Sequence, residues 1–170
     1  VAVLAAGAAA QQPQEAARAA EIRKLIEKMA ADDFAGRYAS GKLAEIGDAA
    51  VPALIEALGH AVPRVRYWSI AALSGIGDER AVPAIERLLK EDVDATVRAV
   101  AVWHLGRWFD REEVRQAVMT TLDDKDPFVR GWAFRVIQHE RYEAALPRLM
   151  ELLQSKDESV RYNALRTIAE

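Results

Sequence analysis

The chain has 170 residues, 51% of them hydrophobic, 29% charged and 7% aromatic, with a net charge of −3. This much apolar material fills a sizeable core and excludes a disordered chain, and the acidic balance argues against a nucleic-acid partner, which calls for a strongly basic surface. The absence of cysteine excludes disulfides, thiolate nucleophiles and sulfur-ligated metals.

In chain order, the first segment is residues 1–13. Val1 to Ala10 carry no charge, and the first charged residue is Glu15. Ten such residues are too few to span a bilayer as a helix, which takes about 20. Their aliphatic character and the small residues at Ala6-Gly7-Ala8 or Ala8-Ala9-Ala10 match the end of a signal peptide, although a basic n-region and initiator Met are missing. The expectation is therefore a signal-peptide remnant or flexible tail and an exported protein, periplasmic or extracellular, with a cytoplasmic protein as the alternative.

From residue 14 onward the sequence repeats. Val65-Arg66, Val97-Arg98, Val129-Arg130 and Val160-Arg161 recur 32, 32 and 31 residues apart. Four residues after each Val stand Ser69, Ala101, Ala133 and Ala164. Five after come Ile70, Val102, Phe134 and Leu165, and eight after come Leu73, Leu105, Ile137 and Ile168. Offsets of 0, 4, 5 and 8 form one face of an α-helix. A second apolar element precedes each of these, at Val51-Pro52-Ala53-Leu54, Val82-Pro83-Ala84-Ile85, Val114 to Leu122, and Leu146-Pro147-Arg148-Leu149. Asp94, Asp126 and Asp157 are placed to cap the second helices, and Gly47, Gly77 and Gly106 to end helices in the left-handed conformation. The spacing predicts helix pairs at 14–31 with 33–46, 49–59 with 63–76, 80–91 with 95–106, 111–123 with 127–138 and 142–154 with 158–169. The repeat domain is then 14–170, with pairs 14–46, 49–76, 80–106, 111–138 and 142–169. Leu165 and Ile168 keep the internal pattern in the last pair, so the array is expected to continue past 170.

The units Ala-Val-Pro-Ala-Leu-Ile-Glu-Ala-Leu at 50–58 and Val-Arg-x-x-x-x-Ala-x-Leu followed by Gly-Ile-Gly-Asp at 65–78 resemble HEAT repeats, in the short-period subtype named after phycobilisome lyases. The resemblance implies an all-α fold, a right-handed α-solenoid of about five antiparallel helix pairs. It implies little about function, because the repeat serves many unrelated proteins. In HEAT repeats an Arg of this kind often pairs with an Asp at the end of the preceding helix. That implies a structural ladder of Arg66, Arg98, Arg130 and Arg161, with Asp92 and Asp124 as carboxylates. His60 and Ser155 occupy the corresponding places before Arg66 and Arg161.

The second helices of HEAT arrays line a concave surface. On it the resemblance places a stripe of Tyr67, Trp68, Trp103, Arg107, Trp132, Arg135, Tyr162 and Arg166. Aromatic and Arg side chains are enriched at the anchors of protein interfaces, so the stripe is a candidate site for a partner protein or peptide. The competing reading is that these tryptophans fill gaps between helices.

No catalytic constellation stands out. His60, His104 and His139 fall in three different repeats with no companion at ligand spacing, and no serine lies in a G-x-S-x-G elbow. The expectation is a non-enzymatic scaffold binding a protein or peptide, without metal or cofactor, and with no membrane insertion of the repeat domain. Two alternatives follow from resemblance. One is a bilin lyase-like subunit or chaperone, whose work is cytoplasmic. The other is a HEAT-like DNA glycosylase, which the acidic pI of 5.7 opposes.

Overall fold

The computed structural model describes the backbone of residues 2–169 and the side chains of residues 13–169. The expected signal remnant therefore lies, apart from Pro13, outside the residues whose side chains are described. Among the described residues every regular element is helical. The helices are α1 (Ala2–Lys28), α2 (Asp33–Ile46), α3 (Val51–Ala57), α4 (Pro63–Ile76), α5 (Val82–Glu91), α6 (Ala95–Leu105), α7 (Glu112–Thr121), α8 (Pro127–His139), α9 (Leu146–Leu152) and α10 (Glu158–Ala169). No helix among the described residues is long and apolar enough to cross a membrane.

The local chemistry explains the boundaries. Asp32 caps α2 by accepting from the Ala35 N–H at 2.7 Å. Asp94, Asp126 and Asp157 accept from the N–H groups of Thr96, Phe128 and Ser159 and so cap α6, α8 and α10. Short 3-10 turns lead into α3, α5 and α9, each of which carries Pro within its first two positions, where a missing N–H is harmless. Gly77 ends α4 at φ +80°, and Gly47 follows α2 at φ +72°. Gly106 differs from the expectation. Its φ of −52° is right-handed, because the chain runs from α6 straight into a 3-10 turn.

The chain forms two compact units, Val1–Asp78 and Glu79–Glu170. In the first, α1 packs on α2 and α3 on α4, while α2 and α4 lie side by side. Its core includes Met29, Leu43, Leu54, Leu58, Ile70 and Leu73. In the second, α5, α7 and α9 pair with α6, α8 and α10, and α6, α8 and α10 stand next to one another. Val97, Val102, Leu105, Val129, Phe134 and Ile137 are buried there. The repeated offsets are thus core positions of α4, α6 and α8.

Candidate functional site

The second helices of the Glu79–Glu170 unit build the candidate site. Val97 and Val129 are buried at the starts of α6 and α8. Because a helix turns 100° per residue, the positions six and three residues later point away from that core. These are Trp103 on α6 and Trp132 on α8. Their ring centroids are 5.3 Å apart, within the range of a favourable aromatic pair. The Arg135 guanidinium sits 4.8 Å over the Trp132 ring, a cation–π contact. Phe128 meets Trp132 edge-on at 6.2 Å, and the His139 ring meets Trp103 at 5.9 Å. Trp103 remains 39% exposed and Phe128 54%, so the cluster forms a surface patch and not a plug of core.

Phe128 and His139 were absent from the sequence-derived stripe. Phe128, Trp132, Arg135 and His139 follow one another at steps of four, three and four residues, the spacing of a helix face. That periodicity was the available signal. His139 lies one residue past the expected helix end at 138 but is the last residue of α8, with Nδ1 2.8 Å from Glu140 Oε1.

The other stripe residues divide. Tyr162 is exposed on α10, and Arg166 is half-buried with an Nε that has no hydrogen-bond partner. Arg107 is exposed just beyond α6. Tyr67 and Trp68 belong to the Val1–Asp78 unit. There Trp68 packs against Gly36 of α2, where any Cβ would fall inside the indole ring. Its Nε1 is buried without a hydrogen-bond partner. For Trp68 the gap-filling role describes the contact.

The arginines following each Val are arranged differently from the expected own-turn clasp. Arg98 Nη1 donates to the Asp92 carbonyl at 2.8 Å, not to its carboxylate. Its Nε and Nη2 donate to the two carboxylate oxygens of Asp124, each at 2.9 Å, one repeat ahead. Arg130 likewise donates to the Asp124 carbonyl at 3.1 Å and to Asp157 Oδ2 at 2.6 Å. Arg66 donates to the carbonyls of His60 and Ala61. Each of these arginines ties its own inter-helix turn, and Arg98 and Arg130 also reach the turn of the next pair. Burial pushes the Asp124 carboxyl up, but the Arg98 hydrogen bond and charge outweigh it and hold the group below the usual range.

His104 lies away from this chemistry. Burial alone pushes its pKa down to about 4, so it is neutral at pH 7. Among the described residues no group of three His, Asp or Glu is placed to hold a metal ion.

The HEAT-repeat family model matches residues 22–106 and 89–169, which is most of the chain. This protein is a member of the HEAT-repeat family. Two curated relatives are similar over part of this HEAT protein. The phycobilisome maturation protein of Synechococcus elongatus is 34% identical over 73 residues, 42% of this chain and 35% of the relative. The phycocyanobilin lyase subunit beta of Pseudanabaena tenuis is 37% identical over 93 residues, 52% of this chain and 33% of the relative. The HEAT chain thus spans about a third of the length of the curated relatives it matches. In fold it resembles the complex of CpcE and CpcF of phycocyanin lyase from Nostoc sp. PCC7120, with a TM-score of 0.74 at 24% identity, over 88% of this chain and 99% of that one. An engineered protein is also similar, with a TM-score of 0.52 at 22% identity, over 87% of this chain and 78% of that one.

Two expectations are corrected by these relatives. The non-enzymatic reading is overturned, because one relative is by name a lyase subunit, and a lyase is an enzyme. The export reading falls with it. The relatives are named as a phycobilisome maturation protein and a phycocyanobilin lyase subunit, proteins whose work the resemblance sets in the cytoplasm. The uncharged residues at 2–10 were a weak basis for export, because small aliphatic residues are also good helix formers, and α1 begins at Ala2.

Proposed function

We propose that this chain acts as a phycobilisome-lyase-type HEAT protein, one that engages a bilin and the protein that carries it through the patch on α6 and α8. The observation that carries the reading is the Trp103–Trp132 pair, with Trp103 exposed, Trp132 half-buried and Arg135 over the Trp132 ring. A bilin is a conjugated, largely planar chain of four pyrrole rings with carboxylate side arms. The exposed Trp103 indole suits its π-system, and Arg135 and Arg107 suit its carboxylates. The chain has no cysteine, so it has no thiol to bond a bilin covalently, and its hold is non-covalent. The similarity to a phycocyanobilin lyase subunit supports the same substrate class.

The test is titration with phycocyanobilin, followed by the bilin absorption band and by tryptophan emission. Binding should shift the band and quench the emission. Trp103→Ala and Arg135→Ala should each weaken binding about tenfold, roughly 1.4 kcal/mol, with far-UV circular dichroism unchanged. A well-folded protein that leaves the bilin spectrum unaltered would sink the bilin reading. The exposure of Phe128 and Tyr162 favours a second reading, docking of a protein surface alone. Under it, an apo-phycobiliprotein would bind and lose affinity on Trp103→Ala while free bilin does nothing.

A further inference from the structure

The His139 ring that meets Trp103 edge-on has a second contact, which the aromatic patch does not use. Its Nδ1 lies 2.8 Å from Glu140 Oε1. The imidazole is 68% exposed and the carboxylate side chain only 29%. A Cβ built on Gly106 would stand 4.0 Å from the same Oε1, so the carboxylate lies over the 3-10 turn that follows α6. The repeat does not require this pair. Eleven residues after the Val, the place of Glu140, the α4 and α6 copies hold Ile76 and Trp108. Ten after it, the place of His139, they hold Gly75 and Arg107. Trp108 is buried. A carboxylate therefore stands where the preceding copy has a core indole.

The contact fixes the tautomer of the histidine. An ionised carboxylate only accepts hydrogen bonds, so Nδ1 carries the proton and donates it to Oε1. In the neutral imidazole Nε2 is then the bare, basic nitrogen. An imidazole held at Nδ1 by a carboxylate supplies the base and the orienting group of a nucleophilic site. This chain has no cysteine to complete such a site with a thiol. The dyad instead flanks the exposed Trp103 indole, where a thiol brought by a partner would meet a bound π-system.

We propose that His139, oriented by Glu140, is the general base for a thiol that a docked phycobiliprotein brings to a bilin lying on Trp103. This rests on the bilin reading above, and it adds a chemical step to a binding surface. The bilin it requires has an exocyclic C=C on an end ring. Nε2 takes the thiol proton, and the sulfur electron pair forms an S–C bond to the exocyclic carbon. The C=C electron pair moves to the neighbouring ring carbon, where the imidazolium returns its proton. The net change is addition of S–H across C=C, with nothing oxidised or reduced. His139 touches the reacting thiol, whereas Glu140 is a positioning residue that acts through the imidazole.

The test uses phycocyanobilin and N-acetylcysteine as the thiol. Addition removes one double bond from the conjugated system, so the bilin band moves to shorter wavelength at a measurable rate. The chain should accelerate this shift over the protein-free rate, saturably in bilin. His139→Gln should lower kcat about a hundredfold while leaving the KM and the bilin affinity unchanged. Glu140→Gln should also lower kcat without changing the KM, because an amide NH2 turned toward Nδ1 selects the wrong tautomer. Added imidazole should restore the rate in His139→Ala, a rescue that a merely structural role would not allow. If the wild type binds bilin but adds the thiol no faster than buffer does, the base is refuted and the bilin reading stands. The same holds if His139→Gln keeps its rate, or if imidazole fails to rescue His139→Ala. A Glu140→Gln protein as fast as the wild type overturns the orienting carboxylate. Failure of the wild type to bind bilin at all overturns the bilin reading and this step together.

Discussion

Asp123 and Asp124 are sequence neighbours in one turn, yet their ion pairs differ in kind. Asp123 receives Arg148 Nη2 at 2.7 Å with 63% of its side chain in water. Asp124 receives Arg98 with 13% of its side chain exposed, and the Arg98 side chain is only 3% exposed. Water screens the first pair and compensates its loss, so Asp123→Ala should destabilise by less than about 1 kcal/mol. Asp124→Ala strands a buried guanidinium and removes the acceptor of the Asp126 N–H at 2.8 Å, and should cost about 3 kcal/mol. Urea midpoints at neutral pH would measure both, and near-equal losses would contradict the account. The sequence could identify Arg98 and Asp124 as recurring polar residues but not as partners. Periodicity reports what lies within one helix pair, whereas this bond joins residues 26 apart across two of them.

Among the helices, α8 combines strong legibility with one unexplained residue. Its start at Pro127, its Asp126 cap and its buried face of Val129, Ala133 and Ile137 all follow from the repeat pattern. Its exposed face was only half legible, because Phe128 and His139 sit at the helix ends, where turn chemistry masks the period. Gly131 lies within α8, and a Cβ built there meets nothing within 4 Å. Helix propensity disfavours glycine by about 1 kcal/mol relative to alanine. Packing gives nothing back, in contrast to Gly36, which Trp68 requires. Gly131→Ala should therefore raise stability by about 0.5–1 kcal/mol in thermal or urea unfolding. A destabilised Gly131→Ala protein would show that some unseen strain governs the position.

For the molecule as a whole, the response to acid follows from where protons can go. His104 titrates near 4 in the folded protein against an ordinary value of 6.5, because burial penalises its charged form. Between those values the unfolded chain takes up a proton that the folded chain refuses. The contribution of His104 to stability is therefore complete above pH 6.5 and drains away as the pH falls through about 4. Asp124 and Asp157, ordinarily at 3.8, and Glu112 and Glu113, ordinarily at 4.5, are held lower by their hydrogen bonds and arginine partners. Their contributions also fade on acidification, but only below those ordinary values. The interval from pH 6.5 to 5 thus isolates the histidine, with an expected loss of about 2 kcal/mol. Urea unfolding at half-unit steps of pH should show this slope, and His104→Gln should flatten it while leaving the steeper fall below pH 4.5 in place. An unchanged slope in that variant would mean that His104 accepts its proton without leaving the fold, and that its site admits water. The repeat spacing puts His104 within the helix expected at 95–106. It could not set the shift, because desolvation depends on what α6 is packed against, and that becomes known only when the repeats are assembled.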